Sequence, residues 1–259
     1  MNTLKLKKNA PSGTIILNRP EKRNAITREM IADLTQALDD FHGEKDVRAV
    51  ILTGAGSAFC SGMDLAEMQA AAQLPNASQT WHDDAVAYRD LLERMLQYPK
   101  PIIAAVNGPA LAGGVGLIVA SDLVIAATDA ALGLPEPRRG IVAGIVSPLL
   151  AFRIGASHAA NLLLTARTIS ATEAHRIGLV HECVSADLTW VRAQELAQEI
   201  ALSAPEAILL TKRMLNETIG ENLSTLLYSG AAASATARTT DAASEGRAAF
   251  LEKRAPKWL

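Results

Sequence analysis

The 259-residue chain predicts an α/β fold that ends in a helical region. Three patterns carry that expectation. Short apolar or β-branched runs at residues 47–53, 102–106 and 123–127 have the length of buried strands, and helical stripes lie between the first two. Two glycine turns, Ser61-Gly62-Met63-Asp64 and Asn107-Gly-Pro-Ala-Leu-Ala-Gly113-Gly114-Val-Gly116, each follow a strand signal and precede a helix signal. Residues 205–254 are Ala-rich and helical in pattern, with no strand signal.

In chain order, residues 4–8 and 14–18 read as two strands about the turn at Pro11-Ser-Gly13. A polar loop, residues 19–25, leads to Thr27. Thr27 caps a helix whose apolar face is Met30, Ile31, Leu34, Leu38 and Phe41. The strand at 47–53 is broken by Gly54-Ala-Gly56-Ser57. Residues 70–80 are rich in Ala, Gln, Asn and Ser and are the best candidate for a mobile segment. Trp81, Ala85, Tyr88, Leu92 and Met95 form a helical stripe that ends at Pro99-Lys-Pro101. After the strand at 123–127, a short segment at 131–132 precedes a loop that carries Glu136. Ser170-Ala-Thr-Glu173 has the form of a capping box. Residues 179–184 read as a last strand, Pro205 as a first-turn proline and Ser203 as its cap.

Composition narrows the function. With 49% hydrophobic residues the chain can bury a large core. A formal net charge of -2 supplies no global field for nucleic acid or a membrane surface. Cys60 and Cys183 lie far apart, so neither a disulfide framework nor a thiolate zinc site is expected. The five histidines lack ligand spacing, and no metal is expected. The N-terminus has no signal-peptide core, and the most apolar stretch, 101–127, is interrupted by Asn107, Pro109 and Asp122. A soluble cytoplasmic protein is the expectation.

The chemistry concentrates in the two glycine turns and Glu136. Close packing of helix against strand would explain the glycines of Gly113-Gly114-Val-Gly116. Two such turns can also aim one main-chain N–H each at the same point, forming an oxyanion hole. Asp64 would then be a helix N-cap. The dinucleotide, phosphate-loop, HExxH and GxSxG patterns are absent. Glu136, between Pro135 and Pro137, is either a solvated loop residue or a carboxyl in an apolar pocket. In a pocket, desolvation would raise its pKa toward neutrality and let it exchange protons. Arg138 and Arg139 could pair with it, face a substrate anion or lie at the surface. Lys22 and Arg23 fit a solvated loop or a phosphate contact.

In sum these residues resemble the enoyl-CoA hydratase/isomerase (crotonase) family. The likeness rests on Asn18-Arg-Pro20…Asn24-Ala25, Phe59-Cys60-Ser61-Gly62-Met63-Asp64-Leu65, Asn107-Gly-Pro-Ala-Leu-Ala-Gly-Gly, Asp122-Leu-Val-Ile-Ala, Leu134-Pro-Glu136, Gly178-Leu-Val180 and Ala249-Phe250-Leu-Glu-Lys253-Arg254, in this order. It implies a crotonase-like ββα spiral core over residues 1–200 that binds acyl-CoA, and a helical trimerisation region over 201–259. It also implies trimers or hexamers, no cofactor beyond the CoA of the substrate, and an acyl-CoA thioester. The N–H groups of Met63 and Gly113 would hold the thioester oxygen. Lys22, Arg23 and Ala25 would lie along the CoA, with Ser61 near the adenine. Gly62, Gly114 and Gly116 would line the substrate's path, and Phe250 and Lys253 would reach the CoA of an adjacent subunit. Neither membrane nor nucleic acid is implied as a partner.

One position departs from the family pattern. Typical hydratases carry a glutamate where this chain has Gly116, and only the second acid, Glu136, is retained. Single-glutamate relatives include Δ3,Δ2-enoyl-CoA isomerases. The Gly113-Gly-Val-Gly-Leu-Ile and Gly140–Gly155 segments instead resemble methylglutaconyl-CoA hydratase-type members, whose substrates bear a distal carboxylate for which Arg138 or Arg139 could be a partner. The expected activity is therefore enoyl-CoA hydration on a branched or glutaconyl-type acyl group. The alternatives are an isomerase, and a non-catalytic acyl-CoA or RNA-binding protein on the same scaffold.

Overall fold

The computed structural model describes residues 1–218 and 222–258. Strands β1 (Leu4–Asn9), β2 (Ser12–Leu17), β3 (Ala49–Gly54), β4 (Ile102–Val106), β6 (Leu123–Ala127) and β9 (Glu182–Val184) form one sheet, adjacent in that order. Only the β1–β2 pair is antiparallel, as its short turn requires. A second sheet joins β5 (Ala110–Leu111), β7 (Ala131–Gly133) and β8 (Thr168–Ser170).

The large sheet is covered on both faces, which is why β3 and β4 read as unbroken apolar runs. Val50, Leu52, Ile102, Ala104 and Val106 face the main core, with α1 (Arg28–Gly43), α3 (Ala77–Gln97), α4 (Gly113–Ala120) and α5 (Val146–Thr165). The alternate residues Ala49, Ile51, Ile103 and Ala105 meet Ala193 and Ala197 of α7 (Thr189–Ala201) on the other face. The stripe expected on α1 is buried, and the Thr27 hydroxyl accepts from Met30 N at 3.1 Å. The stripe on α3 is buried as well.

Residues 70–80 span the end of α2 (Leu65–Ala71), a turn at 72–76 and the start of α3 at Ala77. Several local expectations need correction. The capping box at α6 (Ala171–Arg176) is half formed. Ser170 Oγ accepts from Glu173 N at 3.2 Å, but the Glu173 carboxylate takes two hydrogen bonds from Arg167 instead of returning to the backbone. Ser203 does not cap α8 (Pro205–Arg213); Ala204 holds that position without a side-chain bond. The last strand is only Glu182–Val184, because 179–180 belong to the turn after Gly178.

The helical expectation for 205–254 extends over residues 219–221, which lie outside the described residues. Among the described ones, α9 (Leu223–Ala237) packs on α3 and α5, and α10 (Asp241–Leu251) packs on the turn that carries Glu136. Glycines permit that docking. A Cβ on Gly246 would fall 2.1 Å from Arg139 O, and one on Gly140 would fall 2.1 Å from Ala242 O. No helix among the described residues is long and apolar enough to cross a membrane.

Candidate active site

The site forms beyond the carboxyl ends of β3 and β4, where two loops run side by side. Cys60 and Ala110 form a parallel bridge, with Leu111 N donating to Cys60 O at 2.9 Å. Gly62 and Gly114 make the approach possible. A Cβ on Gly62, which has φ +89°, would lie 2.7 Å from Ala112 Cβ and 3.1 Å from Gly113 N. A Cβ on Gly114 would strike Cys60 O at 2.3 Å. Ala112 itself holds φ 52°, a left-handed backbone unusual for alanine, and thereby directs the chain into α4. Asp64 caps α2 by accepting from Ala66 N at 3.0 Å and Glu67 N at 3.3 Å.

Met63 and Gly113 have backbone N–H groups with no acceptor among the described residues. Met63 is bridged to Ile26 in parallel fashion, through Ile26 N to Gly62 O and Asp64 N to Ile26 O, each 2.8 Å. In such a ladder the N–H of the bridged residue points away from the partner strand. Gly113 opens α4, so its N–H is one of the four donors a helix leaves unused.

Glu136 starts a short 3-10 turn, Glu136–Arg139, and is 6% exposed. Its Oε2 is buried with no hydrogen-bond partner among the described residues. Burial pushes its pKa up to about 7, against the pull of its own backbone N–H and of Arg139. Met63, Gly113 and Glu136 line one partly enclosed cavity. Met68, Tyr88, Ile141, Ile145 and Val146 supply apolar wall, and Arg139, Ser234 and Arg238 give one region polar character. Two free donors and a buried carboxyl with one unpartnered oxygen at the same cavity can bind a developing oxyanion and move a proton beside it.

A family model described as enoyl-CoA hydratase/isomerase matches residues 8–259. The chain belongs to the enoyl-CoA hydratase/isomerase family. A Thermus thermophilus protein named provisionally as an enoyl-CoA hydratase is 41% identical, over 94% of this chain and 96% of its own. A short-chain-enoyl-CoA hydratase of Clostridium acetobutylicum is 31% identical, over 98% and 96%. The crystal structure of an enoyl-CoA hydratase/isomerase from Xanthobacter autotrophicus Py2 superposes with a TM-score of 0.87 at 34% identity, over 96% of this chain and 91% of that one. The crotonase fold, with its helical C-terminal part, is thus the fold of this family member.

The remaining sequence candidates fall in different places. Lys22, Arg23 and Ala25 lie in a turn stitched to the Ser61 loop: Ser61 N donates to Arg23 O at 3.0 Å. Lys22 and Arg23 are exposed, Ser61 is half-buried and Ala25 is buried. These four form a rim apart from the cavity lining. Gly62, Gly114 and Gly116 do not line the cavity; they are sites of close packing. Arg138 is exposed and donates to Thr165 O at 3.3 Å, so the cavity arginine of that pair is Arg139. Chain direction decides this, since successive residues of a tight turn point apart. Phe250 is half-exposed with its ring 4.7 Å from the Arg139 guanidinium, and Lys253 is exposed at φ 54°. Among the described residues no three His, Cys, Asp or Glu side chains group as a metal site.

Sequence reasoning assigned no role to three residues of consequence. Asn24 is fully buried, donates to Ala55, Ala58 and Phe59 carbonyls at 2.8–3.1 Å, and accepts from Arg19 N. It pins the rim loop to the turn after β3. Tyr88 read as a core residue, yet its hydroxyl reaches Gly113 O at the head of α4. Arg238 at the end of α9 carried no sequence signal and lines the cavity at 7% exposure.

Proposed function

We propose that this protein is an enoyl-CoA hydratase that adds water across the 2,3 double bond of an acyl-CoA thioester. The observation that carries the reading is one buried carboxyl, its Oε2 without a partner among the described residues, sharing a cavity with two free amides. The thioester oxygen sits between Met63 N–H and Gly113 N–H. Glu136 takes a proton from water as its oxygen bonds to C3, and the π electrons move onto the thioester as an enolate. Glu136 then returns the proton to C2. The sequence of steps is redox-neutral and regenerates the carboxylate. Lys22, Arg23, Ala25 and Ser61 lie along the CoA, and Phe250 and Lys253 serve the neighbouring subunit of a trimer or hexamer. Half or more of Leu202, Leu210 and Leu226 is exposed in the single chain, which supports the 201–259 region as the assembly element. The cytoplasm is the compartment this reading assigns.

The acyl group we assign is a branched or glutaconyl type with a distal carboxylate. The support is Arg238. Its neighbour Asp84 is already held by Arg28 through bonds of 2.5 and 2.9 Å, and lies 4.0 Å from Arg238. Among the described residues the Arg238 guanidinium makes one hydrogen bond, to Trp81 O at 3.4 Å. A buried cation so weakly matched favours an anionic ligand group. The test is mass spectrometry of products from crotonyl-, 3-hexenoyl- and 3-methylglutaconyl-CoA. A gain of water supports the hydratase; an isobaric shift of 3-hexenoyl-CoA alone would make the protein an isomerase; binding without turnover would make it a carrier. In the Arg238→Met variant, kcat/KM should fall at least about tenfold more for 3-methylglutaconyl-CoA than for crotonyl-CoA. Equal falls would remove the distal carboxylate.

A further inference from the structure

We propose that Tyr88 holds the attacking water in place beside Glu136. The inference rests on the hydratase reading and adds a residue to it.

The argument begins with space. A Cβ on Gly116 would fall 2.2 Å from the Tyr88 hydroxyl oxygen, 3.2 Å from Cζ and 3.0 Å from Val146 Cγ2. The hydroxyl therefore occupies the volume that any side chain at position 116 would enter first. Gly116 and Tyr88 are therefore a matched pair: the phenol oxygen fits because position 116 carries no side chain. That oxygen also lies 3.4 Å from where a Cβ on Gly113 would be, beside the residue that supplies one oxyanion donor.

The hydrogen-bond inventory then fixes what the oxygen can do. A phenol has one hydrogen, and Tyr88 gives it to the Gly113 carbonyl. Its lone pairs remain as acceptors. Burial raises its pKa well above the ordinary phenol value, with Cys60 and Glu136 adding to the effect, so the group stays neutral and keeps that hydrogen in place. Tyr88 and Glu136 line the same cavity. Water that donates one hydrogen to Glu136 and the other to Tyr88 Oη leaves an oxygen lone pair free for C3. The C3–O bond forms as the O–H bond to Glu136 breaks, the π pair goes to the thioester, and Glu136 delivers that same proton to C2. Tyr88 neither gains nor loses a proton. Arg139 and Arg238, the cations of the cavity, have no lone pair for this task.

The experiment is a double-mutant cycle on crotonyl-CoA hydration with Tyr88→Phe, Gly116→Ala and the two combined, beside binding of the unreactive butyryl-CoA. Tyr88→Phe keeps the ring and removes the acceptor; Gly116→Ala keeps the phenol and displaces it. Each single variant should lower kcat on the order of a hundredfold, with KM and butyryl-CoA binding within about twofold of the parent. The combined variant should lose no more than either single one, because the same contact is removed once. Wild-type kcat in either single variant, additive losses, or weakened butyryl-CoA binding in step with kcat would overturn the proposal; the last would make Tyr88 a brace for the Gly113 turn alone. A wild-type protein that hydrates no enoyl-CoA overturns the hydratase reading itself, and shows this before any variant is compared.

Discussion

Replacing Glu136 with glutamine should make this protein less active and more stable, and the second effect depends on pH. The side chain is 6% exposed and its Oε2 has no partner among the described residues. Burial carries its pKa from 4.5 to about 7. That gap corresponds to roughly 3 kcal/mol against the ionised form in the folded chain. Below pH 4.5 the carboxyl is protonated in both folded and unfolded states, and the cost is absent. As pH rises from 4.5 through about 7 the unfolded chain ionises freely while the folded chain resists, so stability is lost over that window. Glutamine is neutral throughout. The variant should match the parent near pH 4.5 and exceed it by up to about 3 kcal/mol at pH 8, a Tm difference of roughly 5–10 °C for a chain of this size. Scanning calorimetry at several pH values reads the difference directly. Turnover should meanwhile fall by about 10²–10⁴, and kcat/KM of the parent should rise with pH through about 7 as the base ionises. A Tm difference independent of pH, or a variant less stable at pH 8, would refute the claim that Glu136 is desolvated and unpaired.

Two further substitutions probe the frame around that acid. Gly62→Ala places a Cβ 2.7 Å from Ala112 Cβ at a φ of +89°, and so should separate the two amide donors; kcat/KM should drop at least about a hundredfold, and a near-normal value would mean that the donors do not act together. Asn24→Ala deprives the carbonyls of Ala55, Ala58 and Phe59 of a shared donor; urea unfolding should show a loss of about 2–4 kcal/mol at unchanged m-value, whereas a loss below about 0.5 kcal/mol would mean that water replaces the amide without cost.

Much of the architecture was legible in the chain because it depends on local pattern. Two faces of apolar residues on β3 and β4 announce a sheet covered on both sides, and the stripes of α1 and α3 announce which side each helix buries. Thr27 and Asp64 are caps whose backbone N–H donors lie two or three residues away, within reach of a sequence rule. Glu136 stood out because it is an acid amid prolines and apolar residues, and the two glycine turns because each sits between a strand and a helix. One sequence rule failed because a more distant partner won: Glu173 left its own capping box for Arg167. The other missed by one residue: Ala204, not Ser203, holds the cap position of α8, with no side-chain bond.

By itself the sequence determined the order of elements, the family likeness and the identity of the one acid retained. Only the tertiary structure decided which groups face that acid. Periodicity states that Tyr88 is buried, but the carbonyl its hydroxyl finds lies 25 residues further on. It cannot tell Arg138 from Arg139, adjacent in one turn yet divided between solvent and cavity. Nor can it bring Arg238, near the far end of the chain, to the cavity that the oxyanion turns line. Burial is a property of one residue and its pattern; a site is a set of distances between residues remote in sequence, and packing alone sets those.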